Sequence, residues 1–247
     1  MADPSLAATV AEVAGHLRFQ KVLGVRELSL GAEARQALVG LEKLPQKVSP
    51  SPAPDQGRPD LGSLARAAAG CRRCRLAESR TKVVFGEGDP KARLVFIGEG
   101  PGKEEDESGR PFVGPAGRLL TRIIQAMGLG REEVYITNVV KCRPPGNRNP
   151  KEDEIEACRT WLEPQLTALE PEIIVALGKV AAQNLLRTAT PISALRGVMA
   201  DLGGVPLMPT FHPAYLLRQA NPAGPKRLVW EDMKQVMTRL GLEAPSR

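Results

Sequence analysis

Four short apolar runs constrain this chain more than any other feature. They are RLVFIGE (93–99), EVYITNVV (133–140), EIIVALG (172–178) and GVPLMPTF (204–211). Each is rich in aliphatic and β-branched residues and too short for a buried helix, so each reads as a strand. Helical patterns fill the gaps. Leu119, Leu120, Ile123, Ile124 and Met127 share one helical face, and Gly128 supplies a stop. Asn149, Pro150 and Glu152 read as the N-cap, first position and capping-box member of a second helix, with the stripe Ile155, Cys158, Leu162, Leu166 and Leu169. Further helices are expected over roughly 179–187 and 225–240. Strands alternating with helices predict an α/β fold: a three-layer α/β/α arrangement around a central, mainly parallel four-stranded sheet.

The pattern starts late in the chain. Residues 5–40 are helix-like, rich in Ala, Leu and Val, whereas 44–60 hold five prolines and almost no large apolar side chain. This predicts a helical and partly disordered N-terminal extension over 1–43, a Pro-rich linker over 44–60 and one domain over 61–247. Seven basic and seven acidic residues lie in 1–60, so the net charge of +6 sits wholly in 61–247. A basic domain suits an anionic partner such as nucleic acid, although basic proteins without one are common. No apolar run reaches the roughly 18 to 20 residues of a membrane span. The N-terminus, MADPSLAATV, has an early acid and no basic region, so no signal peptide is expected. Cytoplasmic location and no membrane partner follow as expectations.

The four cysteines are Cys71, Cys74, Cys142 and Cys158. Cys71-x2-Cys74 is a metal half-site spacing, but no second tight pair follows as in a zinc ribbon. One pair with two isolated cysteines also fits an iron–sulfur cluster on four thiolates. Cys158 alone, on an apolar helical stripe, reads equally as a buried core thiol. All four in the basic domain, with none spare, favour a metal centre, and spacing leaves iron and zinc open.

In open parallel sheets, ligands bind outside the carboxyl ends of the strands. Here those ends carry Gly98-Glu99-Gly100, Asn138 followed by Lys141-Cys142-Arg143, Gly178-Lys179, and His212. The glycine turn lacks the third glycine of a dinucleotide fingerprint, since position 105 is Glu. The run Glu104, Glu105, Asp106, Glu107 argues against a nearby phosphate, or else forms a solvated face. Phe112 anchors the core or offers a stacking platform for a base. Asn138 caps a turn or reads a pyrimidine edge, having a donor and an acceptor together. His212 is structural or donates to a developing anion. Lys141, Arg143, Arg148, Arg218, Lys226 and Arg227 form ordinary surface charge or a rim for a phosphodiester backbone.

Taken together, GEGPGKEED, SGRPFVG, TNVVKCRPPGNRNP and HPAYLL, with Cys-x2-Cys upstream and EAC downstream, resemble the iron–sulfur (family 4) uracil-DNA glycosylases over about residues 65–240. The resemblance implies a hydrolase of DNA base-excision repair that flips uracil out of DNA and cleaves its N-glycosidic bond. It implies a uracil pocket of Gly98, Glu99, Gly100, Glu105, Phe112, Asn138 and His212. In it Phe112 stacks on the base, Asn138 bonds its edge, Glu105 excludes a 5-methyl group, and His212 lies by the carbonyl that gains charge. It implies DNA contacts by Lys141, Arg143, Arg148 and Arg218, with Leu216 filling the gap left by the flipped nucleotide. It also implies a structural 4Fe–4S cluster on the four cysteines.

The sequence departs from other uracil glycosylases in one place. Those place an aspartate to orient the attacking water where Gly100 stands, which leaves Glu99 as the nearest acid. With Asn138 and His212 it completes the expected catalytic set. No histidine lies between His16 and His212, so ordinary turnover is expected rather than covalent trapping of the sugar. The partner is then uracil-containing DNA, single- or double-stranded, bound by a monomer, with residues 1–60 recruiting a protein partner. The rival readings are a non-catalytic iron–sulfur or zinc nucleic-acid-binding module and a nucleotide-handling enzyme.

Overall fold

The computed structural model describes residues 60–243; the expectations for 1–43 and nearly all of the linker lie outside them. The four apolar runs form β2 (Leu94–Gly98), β3 (Tyr135–Asn138), β4 (Ile173–Leu177) and β6 (Val205–Thr210). These four are parallel, in the order β3-β2-β4-β6. Two short antiparallel edges extend them to six strands: β1 (Glu87–Gly88) beside β3, and β5 (Ala200–Leu202) beside β6. Strands of two and three residues are too short to show a period, so they were not expected.

The helices are α1 (Leu61–Ala69), α2 (Lys103–Ser108), α3 (Pro115–Ala126), α4 (Glu152–Leu169), α5 (Gly178–Leu186), α6 (Ile192–Leu195), α7 (Pro213–Arg218) and α8 (Ala223–Leu240). No helix among the described residues is long and apolar enough to cross a membrane. The pleat of the buried strands feeds two cores. Val95, Ile97 and Ile174 face one layer, with Ile155, Trp161 and Leu162 of α4 and Ala181 and Leu185 of α5. Leu94, Phe96, Ile173 and Val175 face the other, with Leu120 and Ile124 of α3 and Met233 and Val236 of α8. This is the three-layer architecture that the alternation predicts.

The start of α4 differs from expectation. Its N-cap is Lys151, not Asn149, because the Glu154 carboxylate accepts from the Lys151 N–H at 2.8 Å and leaves no capping role for Glu152.

The chain leaves β2 toward β3 on one side, and after β3 crosses over to β4 on the other. The carboxyl ends of β2 and β4 therefore open a crevice at this switch in direction. An ion pair ties α8 and the segment after α6 to the end of β6. Asp232 of α8 pairs with Arg196, which follows α6, and accepts from Thr210 Oγ1 at 2.5 Å at the end of β6. Burial raises the Asp232 carboxyl, and the bonds from Thr210 and Arg196 pull it back toward the charged form.

Removing one partner of such a pair strands the other charge. Asp232→Ala is expected to lower unfolding free energy by about 3 to 5 kcal/mol in urea titrations; a loss under about 1 kcal/mol would mean that Arg196 finds other partners.

Candidate active site

The four parallel strand ends open into one cavity of about 650 Å³, whose wall includes Glu99, Glu105, Phe112, Asn138, His212 and Arg218. That volume suits a small ligand. The ladder continues past the sheet, with Val139 N donating to Gly98 O at 2.9 Å and Val140 N to Glu99 O at 3.1 Å. The two strand ends are thus held in register up to the cavity floor.

Asn138 ends β3 and is 1 % exposed. Its side-chain Oδ1 is buried without a hydrogen-bond partner. Buried acceptors are rarely left so. The alternative that Asn138 caps a turn through this oxygen therefore fails. Gly98 makes room for it: a Cβ there would stand 2.5 Å from Asn138 Oδ1 and 2.5 Å from Phe112 Cζ.

Phe112 is buried and belongs to the core beneath α3, yet its ring also lines the cavity. It thus fills a core position and stands at the cavity wall. Its backbone sits at φ +51°, in the left-handed region that a bulky residue avoids. The flanking chain is held on both sides. Glu105 Oε1 accepts from Val113 N at 2.9 Å and Gly114 N at 2.8 Å, and its Oε2 from Gly102 N at 3.2 Å. Arg131, paired with Glu87, donates to the Pro111 carbonyl. The acids of this loop are therefore not one solvated face. Asp106, expected as solvated, is buried and accepts from the main chain of Thr81 at 2.9 Å.

His212 caps α7. Its Nδ1 accepts from Ala214 N at 3.1 Å, so the ring proton resides on Nε2. Burial, then the Arg218 charge, pull the imidazole down to about 4, against a smaller opposite pull from Glu105. The ring is a neutral N–H donor at physiological pH. It lies 5.6 Å from the Phe112 ring, at 30° between planes. Gly178, at φ +88°, lets the start of α5 pass close by: a Cβ there would stand 2.8 Å from His212 Cβ. Glu99 is half-buried, and burial raises its carboxyl while Arg218 lowers it.

Two residues expected on the nucleic-acid face are elsewhere. Lys141 is 1 % exposed, with Nζ bonded to Thr137 Oγ1, Asn138 O and Gln165 Oε1, so it cannot reach a phosphate. Leu216 is 2 % exposed and packs into the core, whereas its neighbour Leu217 is 47 % exposed. Of the other cations, Arg218 is exposed at the cavity wall, and Lys226 and Arg227 are exposed nearby in sequence on α8. Arg143 donates to Asn147 Oδ1 at 2.7 Å. Arg148 lines the cavity but spends both terminal nitrogens on the buried Glu154 carboxylate, at 2.8 and 2.7 Å. Lys179, Ser193 and Tyr215 also line the cavity. Of these, only Lys179 was visible beforehand as a strand-end residue.

The four cysteines form no disulfide and line one small recess, with Trp161 and Arg80. Three sulfurs accept N–H donors: Cys71 from Trp161 Nε1 at 3.2 Å, Cys142 from Arg80 Nη1 at 3.3 Å, and Cys158 from Lys141 N at 3.2 Å. Such donors favour thiolates, while burial pushes the thiols of Cys74, Cys142 and Cys158 up, Cys142 to about 11. Among the described residues no group of His, Cys, Asp or Glu is gathered closely enough for a single ion. That all four cysteines line one recess is what a metal cluster on four thiolates requires.

Comparison with known proteins adds an independent line. A family model described as "Uracil DNA glycosylase superfamily" matches residues 85–234. The type-4 uracil-DNA glycosylase of Thermotoga maritima is 48% identical over 167 residues, which cover 67% of this chain and 86% of that protein. The type-4 enzyme of Archaeoglobus fulgidus is 44% identical over 165 residues, 64% of this chain and 83% of its own. The type-5 enzyme of Pyrobaculum aerophilum is 31% identical over 174 residues, 64% of this chain and 74% of its own.

The chain has two histidines, so ring titration by NMR is simple to assign. The His212 signals are expected to stay those of a neutral Nε2–H tautomer down to a midpoint of about 4. Because the folded pKa is lowered, the unfolded chain takes up this proton first as pH falls. His212 therefore costs stability progressively from the ordinary imidazole range down to about 4, and His212→Asn should remove that slope. A midpoint near the ordinary value would contradict the neutral-donor geometry.

Proposed function

The chain belongs to the uracil DNA glycosylase superfamily, and from that premise we propose how its residues excise uracil from DNA. The protein is a hydrolase of base-excision repair that cleaves the N-glycosidic bond of uracil and leaves an abasic site. A base inside a duplex is out of reach, so it is flipped into the pocket at a cost of a few kcal/mol. The observation that carries the residue assignment is the orphaned Oδ1 of Asn138. Uracil offers an N–H at N3 beside carbonyl O4, so Oδ1 accepts from N3 while the amide nitrogen donates to O4. Cytosine presents the reverse pattern at both atoms and leaves the amide mismatched.

Phe112 stacks on the base, and Gly98 and Gly100 let its edge approach the main chain. Glu105 holds the loop that carries Phe112 and closes the side where a 5-methyl group would lie. Bond cleavage puts positive charge on the sugar and negative charge on the uracil ring. The neutral His212, donating from Nε2 to the ring carbonyl O2, stabilises that anion more than the ground state. Glu99, half-buried beside Arg218, orients the attacking water. Arg143, Arg148 and Arg218 face the DNA backbone, and Arg148 does so from its pair with Glu154. The exposed Leu217, in place of Leu216, fills the gap in the duplex.

Cys71, Cys74, Cys142 and Cys158 would hold a 4Fe–4S cluster. Bound there, it supplies a cross-link between the segment after α1, the segment after β3 and α4. The protein acts as a cytoplasmic monomer, with its catalytic domain in 61–247 and residues 1–60 as a partner-recruiting arm.

On a single-uracil oligonucleotide, Asn138→Ala and His212→Ala are each expected to slow base release about a hundred- to thousandfold. DNA binding should change little, and a thymine control should stay intact. Glu99→Gln should also slow turnover; near-normal turnover would remove it from the water's path. DNA binding with no base release in the wild type would favour a binding module instead.

A further inference from the structure

Among the described residues Lys141 is the one buried lysine or arginine, and the proposed chemistry has no use for it. Its ammonium meets three acceptors, Thr137 Oγ1 at 2.6 Å, Gln165 Oε1 at 2.6 Å and Asn138 O at 2.9 Å, which match its three N–H bonds. No carboxylate is among them. Burying such a group is costly, and an aliphatic side chain would fill the same space without the cost. Its position suggests a reason. The carbonyl it holds is that of Asn138, whose side-chain Oδ1 stands buried and unpartnered at the cavity.

The other end of the residue is held too. The Lys141 main-chain N–H donates to Cys158 Sγ at 3.2 Å. Cys158 and Gln165 lie seven residues apart on α4, two turns along one face. One grips the main chain of Lys141 and the other its side chain. Gln165 in turn donates to Phe85 O and Tyr135 Oη, both at 3.0 Å, so the assembly is anchored to β3 and the chain before β1.

We propose that Lys141 is a positioning residue that ties the cysteine site to the base pocket and fixes the Asn138 amide for reading the base. The inference rests on the uracil reading of that pocket.

The test uses the cluster-loaded protein carrying Lys141→Met, with iron content and thermal midpoint measured beside wild type. The side-chain amide NMR signals of Asn138, a readout independent of any ligand, are expected to move and broaden. Inhibition by free uracil should weaken about tenfold or more, while affinity for DNA bearing an abasic site changes little. Lys141→Gln, which keeps two N–H donors, should restore part of both. If the Met variant does not fold, Lys141→Gln and Gln165→Leu carry the same measurements, and the same selective loss is expected. Unchanged Asn138 signals with wild-type uracil inhibition would overturn the proposal. So would equal losses of uracil and DNA binding, the mark of general destabilisation. Failure of the wild type to bind uracil would instead refute the reading of the pocket, with the amide signals still deciding the role of Lys141.

Discussion

A buried amide oxygen with no partner costs about 1 to 3 kcal/mol. Asn138 Oδ1 is such an atom, and it is the only buried side-chain nitrogen or oxygen among the described residues left without a partner. Much of the surrounding structure serves to keep it there. The parallel pairing of Gly98 with Asn138 puts the amide at the sheet's edge. Gly98 supplies the space, and the main-chain bonds past the strand ends hold the floor. A ligand donor that meets this oxygen recovers the whole penalty, so the fold stores part of its recognition energy at one atom.

The glycine turn with its acids follows the same economy. A phosphate loop would want cations or bare N–H groups. Here Glu105 consumes three such N–H groups and Asp106 takes the main chain of Thr81. The acids therefore hold the loop, and the loop holds Phe112 in a conformation it would not choose alone. At the cavity floor stand an aromatic face, an amide edge and a neutral imidazole N–H, which suit a flat neutral heterocycle, while Glu99, Lys179 and Arg218 add charge to the wall.

The part of this that was legible in the sequence is the part carried by strand ends. Glu99, Asn138 and His212 follow apolar runs directly, so a parallel sheet necessarily brings them to one edge. Orientation within a loop or short helix was not legible. Lys141 sits next to Cys142 and Arg143 and reads as one more surface cation. Only the fold turns it back under β3 toward Gln165, 24 residues on. Helix α7, with six residues, is too short to show which of Leu216 and Leu217 faces out. Glu154 and Glu152 both lie near the start of α4, and the choice between them depends on Arg148, which periodicity does not locate. The cysteine spacing leaves iron and zinc open, and that all four sulfurs meet at one recess is a property of the folded chain.

The central claim is that Asn138 and His212 read one flat base from two sides. A crystal structure of the protein with free uracil tests it most directly. The account predicts the ring stacked on Phe112, N3 about 2.9 Å from Asn138 Oδ1, and O2 within hydrogen-bond reach of His212 Nε2. Uracil bound with Oδ1 still unpartnered, or with His212 turned away from the ring, would contradict it.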